Sequence, residues 1–510
     1  MSDTNVLIAG AGPTGLVLAL WLTKQGVPIR IVDKGAEPGT TSRALAVHAR
    51  TLELYRQLDL DGPVVEKGYT VPGARLWLGG KEEARVPFEK IVSDLTPYGF
   101  LHIFPQDEHE RLLIDHLEKS GVTVERSTEL LDYTETGDGI QARLRSTDGV
   151  ESQVTAKFIA GCDGAHSKVR EVMKSDFPGG SYPQVFYVAD VDGEGPAFNG
   201  DLNVELDESD FLAVFPLADK GRIRLIGAIR PNEGKNLDKL SFDDISDRAA
   251  RSLRLKVTKV NWFSIYHVSH CVTEHFRKGR SFLLGDAAHI HTPVGGQGMN
   301  TGIGDAINLA WKLKAVLTGS AEDSVLDTFE AERRAFALRL VNTTDQAFKF
   351  VASSGRLAEI VRHRVAPVLL PRLVKFDAVR EFIFRTISQI TLNYRGMGLD
   401  EGHAGSVHGG ERLPWVRGHG FDNYEALKRI EWQVHIYGEA QHALRRWCDD
   451  RGVRLQTYRW DDAMGEAGLK EDALYLMRPD TYVAYASTTQ RTAGLDDFFQ
   501  RAGVRLRVAA

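Results

Sequence analysis

The sequence predicts an α/β protein in which a parallel sheet is interrupted by a mostly antiparallel one. Three stretches carry this prediction: a strand, glycine-rich turn and helix at the start, alternating residues within 176–270, and returning strands and helices after about residue 430. Strands separated by helices favour a parallel sheet, whereas strict alternation favours antiparallel strands. A length of 510 residues suits two or three domains rather than one.

The composition is that of an ordinary soluble globular protein. Apolar residues make up 43% of the chain and charged residues 26%, with a net charge of −6. That charge favours neither nucleic acid nor a membrane surface as a partner. Cys162, Cys271 and Cys448 have no metal-ligand spacing, so we expect no metal site and a reduced, cytoplasmic setting.

The first apolar run, residues 5–22, is broken by a proline and three glycines, so we interpret it as strand, turn and helix rather than a membrane span. A strand over residues 5–9 meets G-A-G-P-T-G at 10–15, and a second strand over residues 29–32 ends at Asp33. The glycines permit a tight turn, the approach of a pyrophosphate and close helix packing, while Asp33 can accept from a ribose hydroxyl. The pattern predicts a Rossmann-like domain that binds an adenine dinucleotide.

A second glycine-rich loop follows a short strand over residues 281–284 and precedes an amphipathic helix that starts near Asn300. Glycine at this density removes Cβ atoms where a flat ligand must lie against the backbone. Asp286, at the strand end, can accept hydrogen bonds from a polyol. The free N–H groups at the helix start suit an anion, and a reduced flavin is such an anion.

Two further polar residues lie at junctions in the first third of the chain. Arg43 precedes a helix and could neutralise a phosphate or lie near a reacting ring, although a surface position is the alternative. Gln106 stands between a short strand and a helix, where its amide can reach a ligand.

The alternating region, 176–270, is expected to form an inserted sheet that roofs an apolar pocket. Phe186, Phe211, Phe215 and Ile226 are the candidate substrate contacts, and plain core packing is the alternative for each.

The C-terminal region is helical to about residue 390, then glycine-rich, and after residue 430 it resembles a thioredoxin-like domain. It contains no C-x-x-C, so Cys448, within a predicted helix, is interpreted as a buried small residue. We expect a structural or dimer-forming role for this region, which would make the protein a homodimer.

Three motifs therefore stand in one chain: G-A-G-P-T-G at 10–15, G-C-D-G-A-H-S at 161–167, and G-D-A-A-H-I-H-T-P-V-G-G-Q-G-M-N at 285–300. Together they resemble the single-component FAD-dependent aromatic hydroxylases, the class A flavoprotein monooxygenases. The C-terminal region is similar to the thioredoxin-like tail of the phenol hydroxylase and polyketide hydroxylase branch. The resemblance implies a Rossmann-like FAD-binding domain in two parts, 1–175 and 271–390, the second with a helical region. It also implies an inserted, mostly antiparallel substrate domain, 176–270, and a linker with the thioredoxin-like domain, 391–510.

The resemblance also implies a set of cofactor contacts. Arg43 and Pro293 are the implied catalytic residues, with Pro293 over the reactive face and also against the substrate. Asp163, which would repel a pyrophosphate, would instead bond a hydroxyl, a water or a backbone N–H. Asp33 departs from the glutamate of many relatives, which shortens its reach by one methylene. The implied FAD contacts are Gly10, Gly12, Pro13, Thr14, Gly15, Asp33, Lys34, Arg43, Gln106, Leu130, Asp163, Gly285, Asp286, Pro293, Gly296, Gly298, Met299 and Asn300.

The implied reaction is hydroxylation of a phenol-like aromatic ring by O₂ and NAD(P)H through a flavin C4a-hydroperoxide. NAD(P)H would bind transiently, because the sequence shows no second dinucleotide fingerprint. His289 and His291 are interpreted as structural. One alternative is a tailoring oxygenase that hydroxylates a larger polyketide or antibiotic or inserts oxygen into it by Baeyer-Villiger chemistry. Another is a non-enzymatic flavin-binding interaction protein.

Overall fold

The computed structural model describes residues 3–39, 44–88, 95–206, 211–219, 221–229, 241–244, 253–292, 294–352, 376–418 and 420–506. The predictions for Arg43 and Pro293 therefore lie outside the described residues. Phe211 is described by its backbone alone.

The described residues form eleven α-helices. In chain order they are α1 (Pro13–Lys24), α2 (Ala49–Tyr55), α3 (Asp61–Lys67), α4 (Gln106–Lys119), α5 (Lys168–Met173), α6 (Gln297–Leu317), α7 (Asp327–Ala352), α8 (Asp377–Ile387), α9 (His442–Arg451), α10 (Asp462–Glu466) and α11 (Thr492–Arg501). None of these described helices is both long enough and apolar enough to span a membrane.

The first sheet has seven strands and contains the parallel core predicted for the N-terminal region. Thr4–Ala9 pairs in parallel with Ile29–Val32 on one side and with Glu151–Gly161 on the other. Ser281–Leu283 pairs in parallel with Glu151–Gly161, although 120 or more residues separate them. The carboxyl ends of these strands therefore bring the three glycine-rich motifs to one edge, where ligands of such sheets bind. The remaining strands are Glu129–Thr136, Gly139–Arg145 and Arg277–Lys278.

The second sheet has eight strands and is mostly antiparallel, as predicted. The sheet extends beyond the predicted range of 176–270. Two strands from before that range form one edge, and one strand from after it forms the other edge. In spatial order its strands are His289–Ile290, Lys256–Val272, Gly179–Glu194, Arg222–Ile229, Phe211–Pro216, Leu202–Leu206, Gly73–Leu78 and Lys81–Pro87. A third, small sheet contains Ala46–Val47, Leu101–Ile103 and Tyr69–Val71, in that spatial order.

The C-terminal region folds in the order of elements predicted from its sequence. Its sheet contains Val407–His408, Glu401–Ala404, Val483–Ser487, Leu474–Met477, Gln433–Tyr437 and Arg454–Tyr458, in that spatial order. The two C-terminal helices α9 and α11 contact one another, and Cys448 is buried within α9. The thioredoxin-like interpretation of this domain stays a prediction. A separate pair, Arg417–Gly418 and Phe421–Asp422, precedes this sheet's first helix.

The turn between Leu474–Met477 and Val483–Ser487 joins this domain to the rest of the molecule. Arg478, in that turn, donates to Glu332 of α7 over 2.6 and 2.9 Å, and Asp480 accepts from the indole of Trp311 in α6 over 3.0 Å. Lys312 of α6 donates to the same Glu332 over 2.8 Å. All these side chains are buried, so buried ion pairs and hydrogen bonds join the C-terminal domain to α6 and α7.

Candidate active site

The first glycine-rich turn combines tight internal packing with one open position. A Cβ at Gly10 would lie 2.2 Å from the Cys162 carbonyl oxygen, and a Cβ at Gly15 would lie 2.0 Å from the Gly10 carbonyl oxygen. A Cβ at Gly12 would meet no atom within 4 Å. Gly12 also caps α1 without a side-chain hydrogen bond, so the helix start keeps N–H groups for an anion.

Asp33 holds this turn from the neighbouring strand. Its Oδ2 accepts from the Ala11 backbone N–H over 2.7 Å, and its Oδ1 accepts from the Gly35 N–H over the same distance. Each carboxylate oxygen has a second lone pair for a ligand hydroxyl. Lys34, the next residue, is exposed. Asp33 is therefore a structural tie within the turn as well as a candidate ribose contact.

Gln106 and Glu110 occupy successive turns of α4. Gln106 donates from Nε2 to Glu110 Oε1 over 2.8 Å, and the other oxygen of Glu110 accepts from the Gly39 N–H over 3.1 Å. Burial raises the pKa of Glu110, against the lowering effect of these two hydrogen bonds. Glu110, which the sequence analysis did not single out, thus fixes the amide of Gln106 and the backbone at Gly39.

Asp163 lies beside the first turn, and one of its carboxylate oxygens accepts hydrogen bonds from the start of α5. Its Oδ2 accepts from the backbone N–H groups of Lys168 and Val169 over 2.7 and 3.2 Å. Its Oδ1 is buried and has no hydrogen-bond partner among the described residues. Burial raises the pKa of this carboxyl group. Leu130 is buried in the core behind this region, so any contact with a ligand would be made by its backbone.

The second loop packs directly against the first. Thr14 Oγ1 is the nearest atom to a Cβ built at Gly285, at 2.6 Å, and to one built at Gly302, at 2.3 Å. This contact places Asp286, which is exposed, at the same edge of the sheet as the G-A-G-P-T-G turn. Pro13, buried at the start of α1, completes the packing of the turn.

The start of α6 faces open space. Gly296 caps the helix without a side-chain hydrogen bond, and a Cβ at Gly298 would meet no atom within 4 Å. The first N–H groups of an α-helix lack partners within the helix, so those near Gly298 and Met299 are available to a ligand. Met299 is half-buried and packs against the main core.

Asn300 braces this helix start rather than offering its side chain to a ligand. Its Oδ1 accepts from the His48 N–H and from Thr51 Oγ1, over 2.9 and 2.7 Å. Its Nδ2 donates to the carbonyl oxygens of Ala46 and Gly296, both over 2.9 Å. The predicted cofactor contact of Asn300 would therefore have to come from its backbone.

Two residues that the sequence did not single out, His48 and Asp305, hold the loop in place. His48 Nε2 lies 3.0 Å from the Gly295 carbonyl oxygen, and burial lowers the pKa of this imidazole to about 4. Asp305 Oδ2 accepts from the Gly285 N–H over 3.0 Å, and its Oδ1 accepts from Arg333 Nε over 2.6 Å. Asp305 lies five residues after Asn300 on a buried helix, and a charged residue on such a face was the available signal.

The candidate substrate residues lie on one face of the second sheet. Phe186 and Ile226 are 2% and 8% exposed, and Phe215 is partly buried in the same apolar cluster. Leu45 and Ala46, from the segment before α2, belong to that cluster as well. The second sheet therefore packs against the segment that contains Leu45 and Ala46 through three of the four predicted residues. The side chain of the fourth, Phe211, lies outside the described residues.

This edge fits an FAD. Gly12 and Gly298 leave open space where any other residue would place a side chain, and the starts of α1 and α6 offer N–H groups to phosphate and to an anionic ring. Asp163 Oδ1 is a buried acceptor that still needs a donor. When bound, FAD supplies hydride uptake from NAD(P)H and activation of O₂. The chain's own residues bind and orient it and exclude water.

Comparison with known proteins agrees with this geometry. The family model described as an FAD binding domain matches residues 3–344. The 6-methylpretetramide 4-monooxygenase of Streptomyces rimosus is 34% identical, with 96% of this chain and 93% of that protein covered. The pentachlorophenol 4-monooxygenase of Sphingobium chlorophenolicum is 30% identical, with 70% and 66% covered. A solved aromatic hydroxylase from angucycline biosynthesis has a TM-score of 0.79 at 26% identity, with 99% and 100% covered.

The family match spans well over half of the chain and includes all three glycine-rich motifs. The relatives carry the names of monooxygenases, and one of them is matched over nearly its whole length. The predicted cofactors, FAD with NAD(P)H as co-substrate, and the predicted enzymatic class are thereby confirmed. The chain belongs to the family of FAD-dependent aromatic hydroxylases, the class A flavoprotein monooxygenases.

Proposed function

We propose that this monooxygenase hydroxylates a phenol-like ring that is part of a fused, polyketide-type aromatic substrate. The observation that carries this choice is the match to a 6-methylpretetramide 4-monooxygenase across 96% of this chain. A simple phenol is the second candidate, because a pentachlorophenol 4-monooxygenase is also similar, over a smaller share of both chains. Both substrates present an electron-rich ring to the same cofactor.

In this proposal the two glycine-rich loops at the sheet edge bind different parts of FAD. Gly12 and Asp33 hold the adenosine diphosphate half of FAD, and Asp286 accepts from its ribityl hydroxyls. The N–H groups near Gly298 and Met299 face the pyrimidine side of the ring and stabilise negative charge there. Arg43 and Pro293 are proposed to lie close to the ring.

The apolar cluster around Phe186, Phe215 and Ile226 is proposed to cover the substrate ring. These side chains line a face of the second sheet that already packs against Leu45 and Ala46. An apolar cover excludes water from the reacting carbon and favours a flat aromatic guest.

The test is a turnover screen with the purified FAD-loaded enzyme. NADH and NADPH oxidation is measured with a panel of single-ring phenols and fused hydroxylated polycyclic aromatics, and the products are identified by mass spectrometry. We expect fused phenols to accelerate NAD(P)H oxidation and to gain one oxygen atom. Acceleration by single-ring phenols alone would support the second candidate, and no acceleration by either class would refute the proposal.

We further propose that the enzyme is a cytoplasmic homodimer, with the C-terminal domain in the dimer contact. The support is the ordinary composition and a C-terminal sequence without C-x-x-C, in a domain whose described contacts lie on α6 and α7. Light scattering on the full-length protein would give the mass, and a monomer at micromolar concentration would refute the dimer.

A further inference from the structure

Three side chains form a continuous hydrogen-bonded chain beside the second loop. Asp305 Oδ2 lies 2.7 Å from His289 Nε2, and His289 Nδ1 lies 2.9 Å from His291 Nε2. Asp305 and His289 are buried, and Phe276 stacks on His289 with ring centroids 5.8 Å apart. The chain thus runs from the middle of α6 to the segment just before Pro293.

The remaining partners of Asp305 define its ionisation state. The Gly285 N–H and Arg333 Nε both donate to this carboxyl group, over 3.0 and 2.6 Å. Burial would raise the pKa of Asp305, but His289 and Arg333 outweigh it and lower that pKa below its usual value. Asp305 is therefore a carboxylate that can only accept hydrogen bonds, so His289 must carry a proton on Nε2.

That proton determines the tautomer of the next ring. When His289 holds a proton on Nε2 alone, its Nδ1 offers only a lone pair, so His291 donates from its own Nε2. Burial lowers the pKa of His291 and keeps this ring neutral. His291 Nδ1 is then a hydrogen-bond acceptor at the outer end of the chain.

Among the described residues, this outer nitrogen has no hydrogen-bond partner. His291 Nδ1 is buried and makes no hydrogen bond to any of the described residues. Buried polar atoms in native proteins are nearly always paired, with protein, water or ligand. A buried acceptor that no described residue pairs is available to a hydroxyl donor from a bound ligand.

The two histidines lie where the second sheet leads into the loop that caps α6. His289–Ile290 pairs with Cys271 and Val272, so it forms the edge strand of the substrate sheet. The same strand leads through Pro293 into the glycines that cap α6. His291 therefore lies between the edge strand of the second sheet and the loop that caps α6.

We propose, on the basis of the function proposed above, that Asp305, His289 and His291 form a proton relay for the phenolic hydroxyl of the substrate. The phenol O–H bond breaks and an N–H bond forms at His291 Nδ1. His291 Nε2 passes its proton to His289 Nδ1, and His289 becomes an imidazolium held by the Asp305 carboxylate. The negative charge on the phenolate is balanced by this positive charge, and the ring becomes more electron-rich for oxygen transfer.

Among the described residues, three titratable groups act on the outer histidine. His289 lies on the same segment, Asp305 faces it from α6 and Arg333 from α7. Arg333 is held by Asp305 and by the Tyr394 hydroxyl, over 2.6 and 2.9 Å, so it stays charged across the accessible pH range.

The relay is tested by measuring the pKa of a phenol bound to the oxidised FAD-loaded enzyme, without NAD(P)H and therefore without turnover. The probe is alizarin, a fused-ring phenol whose colour reports ionisation. We expect wild-type protein to bind the ionised form at a pH at least one unit below that of the His291→Gln variant, which is a tenfold difference in the ratio of phenolate to phenol. His289→Gln should behave like His291→Gln, because it interrupts the chain in the middle.

His275→Gln is the matched control, because His275 is half-exposed and lies outside the relay. It should ionise the dye at the wild-type pH, and FAD content should be equal in all variants. The same pH for wild type and His291→Gln would overturn the relay, while loss of phenol-stimulated NAD(P)H oxidation in wild type would instead refute the proposed function. Nitrogen NMR of 15N-histidine-labelled protein gives a second reading: His291 protonated on Nδ1 in the resting enzyme would also overturn the relay.

Discussion

Replacing Glu332 by glutamine should weaken the contact between the C-terminal domain and the rest of the molecule. Glu332 is fully buried and accepts two hydrogen bonds from Arg478 and one from Lys312, over 2.6 to 2.9 Å. It also accepts from Asn308 over 2.6 Å. Glutamine keeps the shape of the side chain but removes its negative charge, so two buried cations lose a counter-ion.

The magnitude follows from the pKa of this carboxyl group. Burial would raise it, but Arg478 and Lys312 lower the pKa from 4.5 to about 2. Each pKa unit corresponds to about 1.4 kcal/mol, so the charged form is favoured in the folded protein by about 3 kcal/mol. Breaking a buried ion pair by removing one partner costs about 3 to 5 kcal/mol in other proteins, which is the same range.

The sign of the pH dependence is fixed by the lowered pKa. The stabilisation is complete above the unfolded value of 4.5 and is lost as the pH falls towards the folded value of about 2. The free energy of unfolding of Glu332→Gln should therefore lie about 3 kcal/mol below wild type at pH 7, and the gap should narrow below roughly pH 4.5.

Denaturant unfolding at pH 7 and at pH 3.5, followed by tryptophan fluorescence, measures both quantities. Trp311 and Trp432 lie at the domain contact and report its opening. Glu322→Gln is the control, because Glu322 pairs with Arg505 on the surface and should shift stability by less than about 0.5 kcal/mol. Equal unfolding midpoints for the two variants at pH 7 would refute the reasoning.

Three further predictions concern the cofactor edge. Gly12→Ala should leave the stability of the FAD-free protein unchanged, because its Cβ would meet only open space, and should weaken FAD binding at least tenfold in a fluorescence titration, because that space is where the FAD is proposed to lie. Gly15→Ala should not fold, because its Cβ would lie 2.0 Å from the Gly10 carbonyl oxygen. Normal FAD binding by both variants would contradict this prediction. Asp286→Ala should lose most of its FAD during purification, and a fully yellow variant with unchanged turnover would remove this assignment. Asn300→Ala leaves two donors and two acceptors without their partner, and should lower the thermal midpoint by several degrees, whereas an unchanged midpoint would show that the brace is dispensable.

The parallel core was predictable from sequence because its strands end in apolar residues that lead into a glycine or a carboxylate. Thr4–Ala9 is buried at every position except Asn5, and Ile31 and Val32 are buried just before Asp33, and this burial produces the apolar pattern. The outer strands of the second sheet were not predictable. Gly73–Leu78 joins that sheet by pairing with Leu202–Leu206, and no local pattern reveals a partner more than 120 residues away.

The glycines of the site were predictable for a similar reason, since close approach of a ligand or of backbone leaves a local mark. The supporting residues left a weaker mark. Glu110 and His48 look like ordinary helix residues in sequence, because their function depends on Gly39 and Gly295, which lie in other segments. Asn300 was predicted as a cofactor contact, but in the structure it lies in the first turn of α6 and its side chain bonds to protein partners.

The middle of α6 shows how far a pattern can be taken. Asp305, Asn308 and Lys312 recur at spacings of three and four, so they lie on one stripe of a helix that is otherwise apolar and buried. A buried polar stripe must meet partners elsewhere in the fold, because unpaired polar groups there are too costly. The stripe could therefore have predicted a second polar layer behind the flavin loop. It could not have predicted that one end would meet His289 and the other would meet Glu332 and a turn of the C-terminal domain, because those pairings exist only once the sheets and helices are assembled.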